Sequence, residues 1–456
     1  MGPGPGSPGG ACERFHKLAP PGAAFQGTRA GRVCGAFPRA AYLAPMPVHV
    51  TSEIGRLKTV VVHTPGPELL AVTPATKEDF LYDDIIDLET ARREHQRFAA
   101  VLERFCAVLQ VRDLLVEVLD QPEARELLAR ETHDVVHSEG LTRDLATLPS
   151  ADLARRLIEG AADEPGPLAR TLGEQSYALP PMPNLFFTRD TAVGVGEHAL
   201  IGSMRYGIRW SEELLMKALF TYHPRLAGRG ILYDGSEERR HNHTLEGGDV
   251  QVLRRDTVMI GFSERSSPAA IDHLAALLFA EENVEQVIVV VMPAEHTAIH
   301  LDMIFTQVDR GRCVVYPPHF VGPSRLPVLL WRRGQAQLAA MEDVFAALRA
   351  CGLPMEPVFC GGDRRILQER EQWASGCNFV ALRPGLAVSY ERNEGTLRAL
   401  EQAGFAIVPS LAVLTGEARI ADDQCAVITV PGGELVRGGG GPHCMTCPVE
   451  REDPWA

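Results

Sequence analysis

The chain has 456 residues, 45% hydrophobic and 23% charged, the balance of a soluble globular protein with enough length to bury a large core. A formal net charge of −14 argues against a nucleic-acid surface and is compatible with a cationic small substrate, and no apolar run nears the roughly 20 residues of a membrane span. Ten cysteines without framework spacing, in a chain too large to need disulfide staples, read as reduced thiols of a cytoplasmic protein.

Residues 1–46 are rich in Gly, Pro and Ala and carry Arg14, Lys17, Arg29, Arg32 and Arg39 against the single acid Glu13. Such a composition cannot build a core and predicts a disordered N-terminal extension. Its basic, acid-poor character fits an organelle-targeting leader; Met46, just before the first structured pattern, fits a displaced start equally well. Order is expected from Ser52, and residues 47–456 are expected to form the folded body. Thr59-Val60-Val61-Val62-His63 reads as a buried strand stopped by Pro65-Gly66. Ala91, His95, Phe98, Leu102 and Phe105 then recur at spacings of four and three, one face of an amphipathic helix. Residues 118–179 show helical periodicity and no convincing strand, with breaks at Pro165 and Pro167, and predict a helical insertion.

Beyond it, short apolar strands alternate with helices, the pattern of an α/β chain. Strands are predicted at 191–195, 250–253, 258–262, 287–292, 314–316, 379–382, 386–390 and 406–408; helices at 211–222, 268–279, 335–350 and 395–403. Strand pairs recur with one helix between them, which points to similar units arrayed about an axis.

Four polar clusters stand at strand ends or loops, where scaffolds present catalytic groups. They are Pro183-Asn184-Leu185-Phe186-Phe187-Thr188-Arg189-Asp190, Leu245-Glu246-Gly247-Gly248-Asp249-Val250, His300-Leu301-Asp302, and the stretch from Arg437 to Pro448. In the second, paired glycines let a carboxylate sit on a tight turn that opens a strand. In the third, the i, i+2 spacing puts His300 and Asp302 on one face if the segment is extended. The fourth holds four successive glycines, 438–441, which suit a backbone that approaches a ligand closely or moves, and ends on Cys444 in a short extended segment at the loop rim. That placement suits a nucleophile.

Taken singly, each cluster has an ordinary explanation. Asp190 and Asp249 fit turn residues, Glu246 a solvated acid, His300 a buried core histidine, and the glycine run a loose tail. Zinc has a weak case, because the pair Cys444 and Cys447 has no second pair and no His-x-x-x-His beside it. A redox role for that pair is equally weak, since Pro448 follows where a helix should open.

Together the clusters resemble the signature blocks of the arginine deiminase family, in its order and near its spacing, and the likeness spans about residues 50–452. Glu53-Ile54-Gly55-Arg56-Leu57, Leu81-Tyr82-Asp83-Asp84-Ile85 and Tyr390-Glu391-Arg392-Asn393 are similar as well. The resemblance implies a five-bladed pseudo-symmetric α/β propeller, the pentein fold, with an inserted helical domain. It also implies hydrolysis of L-arginine to L-citrulline and ammonia, with neither metal nor organic cofactor, and leaves a homo-oligomer open. On that resemblance Cys444 is the nucleophile and His300 the proton carrier. Asp190 and Asp302 hold the guanidinium, and Glu246 holds His300 protonated while touching the guanidinium. Arg209 and Arg265 receive the substrate carboxylate, and Asn184, Phe187 and Gly438 make the remaining amino-acid contacts.

A soft thiolate suits this chemistry because the guanidinium carbon is poorly electrophilic, and covalent attack splits the reaction into two easier steps. Three positions depart from the family pattern. Gly439 stands where some members carry an arginine that reaches the site, His443 where others carry arginine, and Asp87 where relatives often have tryptophan. Related amidino hydrolases acting on agmatine or methylarginine are the competing reading, although agmatine has no carboxylate to occupy both Arg209 and Arg265. A silent arginine-binding protein is the other, against which the complete set Cys444, His300, Glu246, Asp190 and Asp302 speaks.

Overall fold

Runs of apolar residues cut off by Gly, Pro or Asp form most strands, and amphipathic stretches between them form the helices. A computed structural model describes residues 48–136, 146–163, 166–172 and 177–456, all within one unit, Pro45–Ala456. The basic extension, with its leader and start-site readings, and Pro165 lie outside the described residues.

Five of the six sheets among the described residues share one plan: two antiparallel strands, a helix, and a third strand returning parallel to the second. Ala192–Val195 pairs with His198–Ile201, and Ile231–Asp234 returns after helix Trp210–Tyr222. Val250–Arg254 and Thr257–Phe262 are followed by helix Pro268–Glu281 and strand Gln286–Val291. Phe305–Asp309 and Arg312–Val315 are completed by Glu356–Phe359, which follows helix Val344–Ala350. Val380–Arg383 and Leu386–Tyr390 are completed by Ala426–Val430, with helix Glu394–Gln402 between. The fifth unit joins the two ends of the described chain: Cys447–Arg451 runs antiparallel to Leu57–Val62, then come helix Leu88–Leu102 and parallel strand Ala107–Gln110. The central strands are buried along nearly their whole length, so they read as continuous apolar runs rather than alternating ones.

Helices Val111–Leu119, Pro122–Val136, Ser150–Glu159 and Pro167–Leu172 stand between strands Ala107–Gln110 and Ala192–Val195. Their Leu115, Val118 and Leu157 share one apolar cluster with Leu215 and Leu219 of helix Trp210–Tyr222. The helical block therefore starts before residue 118. It also contains a small sheet, Ala161–Ala162 against Tyr177–Leu179, whose strands are too short to show periodicity.

The helix expected over 335–350 is half wrong. Ala339–Met341 is a strand against Val328–Arg332, and only Val344–Ala350 is helical. Asp343 sets the boundary: its side chain accepts the Ala346 N–H at 2.7 Å, an N-cap that outweighs the helix-forming composition before it. Strands absent from the sequence reading include Phe305–Asp309, which hides polar Thr306 and Gln307, and Cys447–Arg451, which carries Pro448. Ala426–Val430 is also absent from it, although its β-branched run meets the same criterion as those chosen.

Candidate active site

Each of the five units enters its first strand through a tight turn, and the five turns converge. They hold Asp190, Glu246, His300 with Asp302, Asn378, and Cys444, all essentially buried.

The paired glycines after Glu246 are set by close approach. A Cβ on Gly248 would stand 2.7 Å from the His300 ring, and one on Gly247 would stand 2.1 Å from the Arg189 carbonyl oxygen. His300 and Asp302 are not on one face of a strand: Leu301–Met303 is a single 3-10 turn, and the two side chains take different partners. His300 Nε2 lies 2.8 Å from Glu246 Oε2, and its Nδ1 is 3.6 Å from Asp190 Oδ1. Asp302 Oδ2 accepts from the Cys444 thiol at 3.3 Å and is 2.8 Å from His443 Nδ1. Asp249 faces neither; its carboxylate accepts the Leu301 N–H at 2.9 Å and the Ser263 and Ser266 hydroxyls at 2.6 Å each, which anchors the turn carrying His300.

Cys444 is not at a loop rim in an extended segment. It is 3% exposed, on a turn closed by Met445 N–H to the Gly441 carbonyl at 3.1 Å. Burial and the Asp302 and Asp190 carboxylates hold its thiol well above the ordinary range, so in the empty site it is protonated. His300 is the opposite case. Burial works to lower it, but the Asp190 charge and the Glu246 bond prevail and raise it to about 9. Burial likewise opposes the Asp302 carboxylate, yet His443 and His300 keep it below its usual value.

The two arginines expected to meet a substrate carboxylate are turned inward. Arg209 Nη1 donates to Asp190 Oδ2 at 2.7 Å, and Arg265 Nη1 to Glu246 Oε2 at 3.1 Å. Arg209 is also gripped by Glu212, with Nη2 to Oε2 at 2.8 Å, and Arg265 lies over the Tyr206 ring at 4.8 Å. Asp190, Glu246 and His300 bring ligand atoms close enough to hold a cation, and these guanidinium groups are the cations they hold. The remaining inner cavity, bounded by Asn184, Phe187, His300, Gly438 and Cys444, measures about 30 Å³, room for roughly two waters and not for an amino acid. Outside it, past Leu81, Arg265, Ile299 and Gly438, opens a vestibule of about 280 Å³. Asn184 donates its side-chain N–H to the Phe80 carbonyl at 2.8 Å, which ties the wall containing Leu81 to this cavity.

The glycine run is largely fixed. Glu94, a residue with no sequence signal for the role, accepts the N–H groups of Gly433, Glu434 and Leu435 at 2.9–3.1 Å. A Cβ on Gly440 would stand 2.4 Å from the Phe187 ring, and one on Gly441 would stand 2.7 Å from Asn378 Oδ1. Gly439 alone has a left-handed φ, +85°, with open space beside it. Arg437 pairs with the exposed Asp84. Asp87, one of the departures, caps helix Leu88–Leu102 through the Thr90 N–H at 2.9 Å, and its own N–H bonds Glu434 at 3.0 Å.

Two groups at the site have no role assigned from the sequence: His443, known there only as a departure, and Asn378. His443 bridges Asp302 and Glu53, whose carboxylate also holds Arg189. Asn378 accepts the N–H groups of His443 and Cys444 at 2.8 and 3.2 Å and donates its own to Cys444 Sγ at 3.0 Å. Its signal is positional: it precedes strand Val380–Arg383 in the one unit for which no site residue is expected.

Residues 78–451 match the arginine deiminase family. An arginine deiminase of Oenococcus oeni is 32% identical over 428 residues, covering 89% of this chain and 98% of the relative. Among solved structures, SxtG, an amidinotransferase from Microseira wollei, aligns with a TM-score of 0.51 at 14% identity over 89% of this chain and 98% of its own. The N-terminal domain of ArgZ, an arginine dihydrolase of cyanobacteria, aligns with a TM-score of 0.48 at 14% identity over 86% and 97% of the two chains. The amidinotransferase speaks to the α/β fold alone. The match across residues 78–451 and the shared sequence over nearly the whole of the Oenococcus enzyme mean that this chain belongs to the arginine deiminase family.

Proposed function

We propose that Cys444, His300, Glu246, Asp190 and Asp302 carry out the family's reaction, hydrolysis of L-arginine to L-citrulline and ammonia, through a covalent cysteine intermediate. The observation that carries this reading is that the buried carboxylates beside Cys444 already hold planar guanidinium groups, those of Arg209 and Arg265. A substrate guanidinium can present its N–H donors to the same oxygens. As it enters, Arg209 and Arg265 are released to meet the substrate carboxylate, while Asn184, Phe187 and the Gly438 backbone line its amino-acid end.

The thiol becomes nucleophilic when the substrate cation arrives, because a positive charge beside sulfur favours the thiolate that burial and two carboxylates otherwise oppose, and the S–H proton leaves to solvent. The thiolate attacks the guanidinium carbon, forming the C–S bond. His300, protonated at neutral pH, gives its proton to the departing nitrogen as the C–N bond breaks. Water then attacks the amidino-thioether and yields its proton to His300. The C–S bond breaks, leaving citrulline and the thiolate. Glu246, bonded to Nε2, holds the imidazole charged for the first step.

The five strand–strand–helix–strand units support reading the sheets as blades of a pseudo-fivefold propeller over residues 47–456, with the helical block inserted in the unit of Leu57–Val62 and Ala107–Gln110, the first in chain order. Among the described residues no helix is long and apolar enough to cross a membrane. The decisive experiment incubates the purified protein with L-arginine and measures citrulline. Cys444→Ala should retain the fold and lose turnover to below roughly a hundredth of wild type, since no other attacking group is present; residual turnover above that level excludes the covalent route.

A further inference from the structure

Outside the active site, one group of side chains converges in the manner of metal ligands. Glu238 ends the short helix Gly235–Glu238, His243 follows the turn at Asn242, and His273 lies on helix Pro268–Glu281. Nδ1 of His243 and Nδ1 of His273 approach the same oxygen, Glu238 Oε2, at 2.9 and 3.1 Å. All three donor atoms lie within 4.8 Å of one another.

Donor atoms around a tetrahedral zinc ion, with bonds of about 2.0–2.1 Å, stand roughly 3.3 Å apart, so small side-chain movements would seat the ion. Two imidazoles and a carboxylate, with a further position open to water, form a donor set suited to Zn²⁺ and its close neighbours rather than to Ca²⁺ or Mg²⁺. The site is open to entry, since the His273 side chain is 41% exposed and that of Glu238 16%. Behind it, Tyr233 is buried with its hydroxyl unpartnered, its ring 5.8 Å from that of His273.

We propose that Glu238, His243 and His273 form a binding site for a divalent transition-metal ion, Zn²⁺ in the first instance, that takes no part in the chemistry. Its place in the fold gives it a structural consequence. His243 is three residues before Glu246, and the helix carrying His273 begins three residues after Arg265. The two segments are already stitched by Ser267 N–H to the Thr244 carbonyl at 2.7 Å and by Glu246 N–H to Ser266 Oγ at 3.2 Å. An ion tying His243 to His273 would clamp the base of the Glu246–Arg265 pair. The bland alternative is a hydrogen-bonded cluster in which both Nδ1 atoms carry protons.

The test is titration of chelator-treated full-length protein with Co²⁺, read by visible d–d absorption, followed by displacement with Zn²⁺. One equivalent should bind with an apparent dissociation constant below roughly 100 µM, without thiolate-to-metal charge transfer, and the proton release should show in weak buffer. His273→Ala, at an exposed helix position, should keep its near-ultraviolet circular dichroism and bind at least about tenfold more weakly. His300→Ala should leave the Co²⁺ spectrum unchanged, because the other converging group, Asp190, Glu246 and His300, is not the site proposed. Retention of the spectrum in His273→Ala, its loss in His300→Ala, or the absence of binding by the wild type at that concentration would overturn the assignment.

Discussion

Asn378 offers the sharpest test of how the nucleophile is prepared. Its Oδ1 accepts two backbone N–H groups, from His443 and Cys444, which fixes the amide so that Nδ2 faces Cys444 Sγ at 3.0 Å and the Asp302 carbonyl at 3.2 Å. That N–H opposes the burial and the two carboxylates that disfavour the thiolate. Asn378→Asp keeps the acceptor that holds the loop and removes the donor on sulfur. A hydrogen bond to an ionised group is worth about 1.5–3 kcal/mol, hence roughly 1–2 pKa units on the thiol. A more basic thiolate regains about half of the loss through greater nucleophilicity, so alkylation at fixed pH should slow roughly 3- to 15-fold. The added carboxylate pushes in the same direction, and Asn378→Ala, which adds no charge, should share the sign. The assay is the rate of iodoacetamide labelling of Cys444 in substrate-free enzyme, with Cys444→Ala as the blank for the other thiols. Labelling rates equal to wild type in both variants would refute the argument.

Arg209→Ala and Arg265→Ala should each lower kcat/KM for arginine by roughly 10- to 100-fold, the worth of one buried charge-assisted contact, while agmatine use stays level or improves. The asymmetry follows because each substitution also frees a carboxylate for the incoming cation; equal losses on the two substrates would show that these arginines do not read the carboxylate. For His300, raised to about 9 from an unfolded value near 6.5, the protonated acid persists through neutrality, so kcat/KM should fall above about pH 9, with that limb moving down in Glu246→Gln. The same shift contributes stability that is complete below pH 6.5 and lost as pH rises through about 9, readable in urea midpoints across that window. Hydrogen exchange in Cys444→Ala should show 433–435 and 440–445 protected with or without arginine, and protection gained on binding only across 436–439; uniform protection in both states would make the whole loop a rigid wall.

The sequence carries the site's chemistry more openly than its geometry. Asp190, Glu246, His300 and Cys444 stand out because each sits in a stretch whose composition makes poor strand or helix, and the turns they occupy are short enough to be read locally. What was misjudged depends on contacts across the chain. Cys444 is buried because Asn378, 66 residues away, closes over its turn, and no local pattern reports that. The glycine run reads as mobile from composition, yet Phe187 and Asn378 pack against most of it, Glu94 pins the segment just before it, and only Gly439 needs its conformational freedom. Strand Phe305–Asp309 hides Thr306 against the distant Cys377 carbonyl and Gln307 against the Asp309 carbonyl, so polarity in the sequence is no guide to exposure there.

The inward arginines bear on why such a site is stable before substrate arrives. Asp190, Glu246 and Asp302 are all buried, and a buried carboxylate without a partner costs several kcal/mol. Arg209 and Arg265 neutralise the first two, and the His443 ring hydrogen-bonds the third. On the proposed mechanism a guanidinium from outside enters by exchange: it replaces one planar cation by another on the same oxygens, and the displaced side chains find a new carboxylate on the substrate. The carboxylates keep a cationic partner throughout, and discrimination falls on the partner that the released arginines require. An amine-bearing guanidine without a carboxylate would leave Arg209 without its Asp190 partner, although still held by Glu212 at 2.8 Å, and would leave Arg265 with only the Tyr206 face. Selectivity for an α-carboxylate is in this way built into the resting ion pairs themselves.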